Sequence, residues 1–175
     1  GKPRQITAAS LAGVIPSFSR DGKWIYFAAN GWQISRVPFA GGPHEQDKAQ
    51  RFAELRCNTA RESADGKSLL CAHSGLANLI SVPLDGGASR ELPAQVSARA
   101  FQVEPDGVWF AHQASNGRNA AISIGHMDPA GRVREVSRVP GVLATGFTVS
   151  PDRKRFLFTK SEEPGADIFI VEEFR

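Results

Sequence analysis

Apolar positions along this chain come in short runs of four to six, broken at close intervals by turn residues. Trp24-Ile25-Tyr26-Phe27-Ala28-Ala29 is aromatic and branched, and it reads as a buried strand. Trp32-Gln33-Ile34-Ser35-Arg36-Val37 alternates apolar with polar, the pattern of a half-exposed strand. Asn30-Gly31 separates the two as a turn. Ahead of them Ile15-Pro16-Ser17-Phe18-Ser19 predicts a short strand, joined through Asp21-Gly22. Asp-Gly between strand-like runs is a strong hairpin signal, because glycine accepts the positive φ of a tight turn. Residues 38–43, which include Gly41-Gly42, predict a third turn, and a weaker fourth strand falls within residues 45–55.

The plan then repeats. The second copy has Thr59 to Glu62, the turn Asp65-Gly66, Ser68 to Ala72, Asn78 to Val82, and a strand beginning at Arg90-Glu91-Leu92. The third has Ala100 to Val103, Val108 to Ala111, Ala120 to Ile124 and Val133 to Val136. The fourth has Phe147 to Val149, Phe156 to Thr159 and Ile168 to Val171. One phrase marks each copy: Ser19-Arg20-Asp21-Gly22-Lys23, Ser63-Ala64-Asp65-Gly66-Lys67, Glu104-Pro105-Asp106-Gly107 and Ser150-Pro151-Asp152-Arg153-Lys154. A period in the forties with a strand–turn–strand phrase in each copy is the signature of a propeller blade. No helix of useful length is predicted; residues 52–56 offer one turn at most.

The expected fold is therefore all-β, a β-propeller of four four-stranded blades in a single domain over 1–175. The blades fall near 14–55, 58–96, 98–139 and 145–175. The last copy lacks an outer strand, and a bare sheet edge invites association. An orphan strand-like piece at residues 2–7 is expected to supply it. Three arrangements fit: a closed ring of four, a homodimer completing a larger ring, or a four-blade part of a longer propeller.

Composition changes little. The 175 residues are 41% hydrophobic and 22% charged, ordinary for a globular domain with a good core. Net charge is +3, with lysine and arginine scattered, so the segment shows no basic tail and no direct nucleic-acid binding is expected. No apolar run approaches the ~20 residues of a membrane span. With Asp65-Gly66 at a hairpin tip, Cys57 would face Ser74 and not Cys71, so a disulfide is not expected and Cys71 reads as a buried free thiol.

The repeated phrase resembles the TolB-type propeller repeat, which runs Pro-x-Trp-Ser-Pro-Asp-Gly-Lys into an apolar strand, with Gly-Gly before the next blade. The matches here are Pro16 to Lys23, Trp24 to Phe27, Gly41-Gly42, Asp65 to Lys67, Gly86-Gly87 and Ser150 to Lys154. Residues 146–175 look like the C-terminus of bacterial TolB-like propellers. In some of these the propeller follows a winged-helix DNA-binding domain, so the resemblance implies the sensor or interaction part of a bacterial regulator, in the periplasm or the cytoplasm. The third copy departs by losing its serine, and the fourth by carrying Arg153 where the glycine should be.

Catalytic motifs are sought and not found. There is no Gly-x-Ser-x-Gly elbow, phosphate-binding glycine loop or His-Glu-x-x-His pair. The turn aspartates read as turn-formers, because an Asp side chain caps local backbone. When the second strands are aligned on their apolar runs, Ala29, His73, His112 and Lys160 fall at equivalent positions at the strand ends. Two histidines and a lysine there could bind an anion, or the histidines a metal, against the plain reading that exposed strand ends favour polar residues. The inner strands offer Arg61 and Arg99; facing the central channel, they would make it basic and suited to an acidic peptide segment or small anion, or else each pairs with a nearby glutamate such as Glu62 or Glu104.

The function expected is non-catalytic recognition of a protein, peptide or small ligand, with no cofactor. The alternatives are an accessory propeller of a hydrolase and a metal-dependent lyase-type propeller.

Overall fold

The computed structural model describes residues 5–7, 11, 13–39, 49–73, 75–97, 99–162 and 165–172. Within them the chain is all-β and forms four antiparallel sheets, the four blades of a β-propeller. The first sheet takes β1 (Val14–Phe18), β2 (Trp24–Ala29), β3 (Gln33–Pro38) and β4 (Gln50–Arg56) in chain order. The second takes β5 (Thr59–Glu62), β6 (Ser68–Ala72), β7 (Leu76–Pro83) and β8 (Arg90–Ser97), also in order. The third comprises β9 (Phe101–Glu104), β10 (Gly107–Ser115), β11 (Ala121–Met127) and β12 (Val133–Pro140). The fourth has three strands among the described residues: β13 (Val142–Val149), β14 (Arg155–Glu162) and β15 (Gly165–Glu172). Of the residues predicted to complete it, 2–4 lie outside the described residues, and Gln5, Ile6 and Thr7 carry no strand. The Gly41-Gly42 turn also lies outside them.

The chain divides into two compact units, Gly1–Cys71 with Ser81–Ser89, and Ala72–Ile80 with Arg90–Arg175. In the first unit one face of β2 is the core. Ile25, Phe27 and Ala29 pack with Val37, and Ile6, Leu11 and Ala49 close over them. The opposite face carries Trp24 and Tyr26, as the period of two along a strand requires. Ser17 Oγ on β1 donates to the Ala60 carbonyl on β5 at 2.9 Å, which ties two inner strands together.

Contrary to the reading of two unlinked cysteines, Cys57 and Cys71 form a disulfide, with Cα atoms 5.7 Å apart. The β5–β6 register is as predicted, since Ser63 N donates to Ser68 O. What the hairpin argument missed is that Cys57 precedes β5. It is anchored through Cys57 N to the Trp32 carbonyl at 2.6 Å, so it is not bound to follow the β5 register.

The second unit has a core shared by two sheets. Trp109, Ala111, Ile122 and Ile124 of the third sheet pack against Phe147, Val149, Phe156 and Phe158 of the fourth. Two glutamines join these sheets. Gln102 Oε1 accepts from Thr148 Oγ1 at 2.5 Å and Val149 N at 3.0 Å. Gln113 Nε2 donates to the carbonyls of Ser115, Ala121 and Gly141 at 2.6–3.1 Å, and its Oε1 accepts from Leu143 N at 2.8 Å. An amide side chain that satisfies this many backbone groups fixes one sheet against the next.

Candidate functional site

The four copies of the repeated phrase come first, because aspartates at regular intervals suggest chemistry. In three copies they are a turn device. Ser19 Oγ donates to Asp21 Oδ1 at 2.6 Å, Lys23 N donates to the same oxygen at 3.0 Å, and Trp24 N donates to Ser19 Oγ at 2.9 Å. Ser63, Asp65, Lys67 and Ser68 repeat this at 2.6, 3.1 and 3.0 Å. Ser150, Asp152, Lys154 and Arg155 repeat it at 2.5, 3.1 and 3.0 Å. The serine hydroxyl, then the backbone N–H, stabilises the carboxylate, so all three carboxyls are held below the ordinary range. They are spent on backbone and are not poised for acid–base work.

The third copy is built differently. Glu104 stands where the serine should be, and Gly107 pairs directly with Glu104, so the turn is two residues shorter than its siblings. Asp106 instead accepts from Trp109 Nε1 at 3.3 Å and lies 3.1 Å from Arg153 Nε and 3.9 Å from His126 Nε2. Arg153 Nη2 also lies 3.8 Å from Glu104, whose carboxylate receives a hydrogen bond from Gln102 Nε2. The two departures from the repeat thus meet. The arginine that replaces a glycine in the fourth copy, at φ 59°, neutralises the two acids of the third.

Each predicted site residue can now be placed. His73 follows β6 and is half-buried. His112 lies inside β10, and Lys160 inside β14, not at strand ends. The Lys160 ammonium sits 4.4 Å from the centroid of the Phe169 ring, while its stem runs over Gly141. Arg61 is half-buried on β5, and burial pushes its guanidinium pKa down. Arg99 is exposed, at φ 69° in the bend before β9. Of these residues, His112 has the most developed surroundings. Lys160 and His112 are engaged with different partners. Among the described residues no group of three or more His, Cys, Asp or Glu side chains could hold a metal.

Around His112 the register of the third sheet assembles a polar row. His112 opposes Ser123 on β11, and Ser123 opposes Arg138 on β12. Ser123 Oγ donates to Glu135 Oε2 at 2.6 Å. Arg138 grips the same carboxylate through Nη2 at 2.7 Å and Nε at 3.2 Å. These two contacts hold the Glu135 carboxyl below its ordinary range. The His112 ring stacks on Phe110 with centroids 6.2 Å apart, and its Nδ1 is buried with no hydrogen-bond partner. Burial pushes the His112 pKa down, against the Glu135 carboxylate and a hydrogen bond to the Gln95 backbone. His112 is thus kept neutral, and its contribution to stability is lost as pH falls below its ordinary value of 6.5. Sequence reading found His112 and missed Ser123, Glu135 and Arg138; the β10–β11–β12 register was the signal that could have linked them.

Chemically, the row offers an unpaired imidazole nitrogen, a buried hydroxyl and an exposed guanidinium–carboxylate pair. The Ser123 proton is given to a carboxylate, not to His112, so no nucleophile is paired with a neutral base.

Fold and site together define a β-propeller with polar side chains displayed from its blades. No family model matches the chain, and no curated protein matches it. Solved structures do. The TolB of Acinetobacter baumannii superposes with a TM-score of 0.67 at 21% identity, over 93% of this chain and 41% of that one. A TolB-type protein of Agrobacterium tumefaciens gives 0.65 at 20%, over 93% and 58%. A chain of the nidogen/laminin complex gives 0.66 at 15%, over 95% and 66%. The likeness to TolB-like β-propellers is one of fold, and this chain spans less than two thirds of each of these structures.

Proposed function

We propose that this chain is a non-catalytic binding propeller that recognises a protein, a peptide or a small ligand. The observation that carries this reading is the His112–Ser123–Glu135–Arg138 row. It presents donors and acceptors from one sheet, while its only hydroxyl is committed to a carboxylate. A protein partner fits the nidogen/laminin likeness. Equilibrium dialysis against a library of short peptides and metabolites, read by mass spectrometry, tests the proposal. A binding module retains a ligand and returns it chemically unchanged, and Arg138→Ala together with Glu135→Ala lowers the retention. Recovery of a converted product would overturn it.

A further inference from the structure

The third and fourth sheets meet through two complementary halves. The third gives a leading half, Trp109 and Ala111 of β10 with Ile124 of β11. The fourth gives a receiving half, Val149 at the end of β13 with Phe156 on β14. All five are buried. The register locates each half once more in the molecule, and there it is uncovered.

The leading half recurs on the fourth sheet itself. With His112 and Lys160 at equivalent positions, Leu157 stands where Trp109 does and Thr159 where Ala111 does. Ile168 pairs with Thr159 as Ile124 pairs with Ala111, and Ile170 pairs with Leu157 as His126 pairs with Trp109. Ile124 is fully buried, whereas Ile168 is 76% exposed, and Leu157 and Ile170 are exposed beside it. Arg155 and Glu172 share this face and meet at 2.7 Å, so they bring it no net charge.

The receiving half recurs on the first sheet. Phe18 ends β1 opposite Ile25, as Val149 ends β13 opposite Phe156. Val149 is 4% exposed and Phe18 is 60% exposed. Phe39, also exposed, stands edge-on to Phe18 with ring centroids 5.2 Å apart. Ile6, Leu11 and Ala49 already cover Ile25, Phe27 and Val37, so the aromatic pair is the part of this face that stays open. Single exposed apolar residues are ordinary, but sets held in register on one sheet face mark an interaction surface.

We propose that the outer face of the fourth sheet docks a second copy of this chain, with Leu157, Ile168 and Ile170 of one copy packing on Phe18 and Phe39 of the other. A second copy is the occupant because this chain carries both unmet halves of a contact that it already makes once, between its third and fourth sheets. The contact joins unlike faces and is heterologous; two copies that each give a leading half and receive one close as a dimer. Of the three arrangements that the repeat spacing allows, this selects the homodimer. It does not rest on the His112 row, and dialysis tests that reading separately.

Light scattering on the full chain across the micromolar range tests the proposal. A dimer is expected. Ile168→Asp and Phe18→Asp each raise its dissociation constant about tenfold or more, because each buries a charge in an apolar contact. Both positions are exposed in the single chain, and circular dichroism checks that the variants fold. Ile170→Lys and Phe39→Lys repeat the two arms if either aspartate variant unfolds. Mixing is the sharper arm. Ile168→Asp copies keep a sound first sheet and Phe18→Asp copies a sound fourth sheet, so an equimolar mixture associates more tightly than either variant alone. A monomeric wild type overturns the proposal, and the faces then close within one chain or receive sheets of another protein. A dimer that survives either substitution, or a mixture no tighter than its components, also overturns it, since the contact then lies elsewhere or pairs like faces.

Discussion

The turn that opens the second sheet and the turn that opens the third descend from one repeated phrase but are held by different means. At Ser63 to Ser68 the carboxylate is answered locally: it accepts from the serine hydroxyl and a backbone N–H, and a second backbone N–H donates to the hydroxyl, while the bond from outside, Arg20 Nε to the Ser63 carbonyl at 2.8 Å, goes to backbone. At Glu104 to Gly107 the serine is gone and the loop is shorter. Its acids are then answered from elsewhere, by Trp109 of the next strand and Arg153 of the next sheet. A local module can be copied without regard to its neighbours. Once one copy loses its serine, it depends on a particular side chain nearly fifty residues away. The difference teaches that the departures of the repeat must be read in pairs.

The sharpest break in the comparison is at the glycines. Gly66 sits at φ 67°, and the nearest atom to an added Cβ is 3.9 Å away. Gly107 sits at φ 136°, where a Cβ would lie 2.0 Å from the Met127 carbonyl oxygen. Gly107→Ala is therefore expected to cost about 3 kcal/mol or more, because backbone must move, while Gly66→Ala costs about 1 kcal/mol for its left-handed φ. Urea unfolding of the two variants measures both, and equal losses would erase the distinction between the turns.

Next in size is the link that the third sheet makes to the fourth. Gln113→Ala strands the Leu143 N–H and the Gly141 carbonyl, and a loss of roughly 2 kcal/mol is expected. Thermal unfolding with Gln113→Glu alongside separates the two ends of the amide: the acid keeps the acceptor and loses the donors.

The smallest effect is at Arg153. Restoring the repeat with Arg153→Gly relieves a non-glycine residue at φ 59° but removes the partner of Glu104 and Asp106. The two offset to within about 1 kcal/mol, since these ions are partly exposed. In an Asp106→Asn background the same change becomes stabilising, and a double-mutant cycle reads the coupling directly.

Much of the fold was legible in the sequence, since strand runs, Asp-Gly turns and a repeat in the forties all report local geometry. The boundaries were less so. β13 begins at Val142, five residues before the predicted Phe147, because a bulge between Leu143 and Phe147 interrupts the apolar alternation. The Cys57–Cys71 bridge was missed because one cysteine lies outside the hairpin whose register was used to exclude it. The candidate site was half legible. His112 stood out as a titratable residue at an aligned position. Ser123, Glu135 and Arg138 are ordinary strand residues until the β11–β12 pairing, with its register shift after Ile124, brings them into hydrogen-bonding reach. The role of Arg153 was hidden for the same reason: its partners belong to another repeat.

The central claim is that three of the four recurring aspartates, Asp21, Asp65 and Asp152, are structural, each stabilised by its own serine. A carboxyl ¹³C titration of the folded chain tests it most directly. Asp21, Asp65 and Asp152 are predicted to titrate below the ordinary value of 3.8, each held there first by its serine hydroxyl and then by a backbone N–H. Depressed folded-state values mean that their contribution to stability is present above the unfolded-state pKa and is lost as pH falls through the folded one. Ser63→Ala should move Asp65 back toward 3.8 and leave Asp21 and Asp152 where they are. Ordinary values for all three, or an Asp65 that does not respond to Ser63→Ala, would contradict the account.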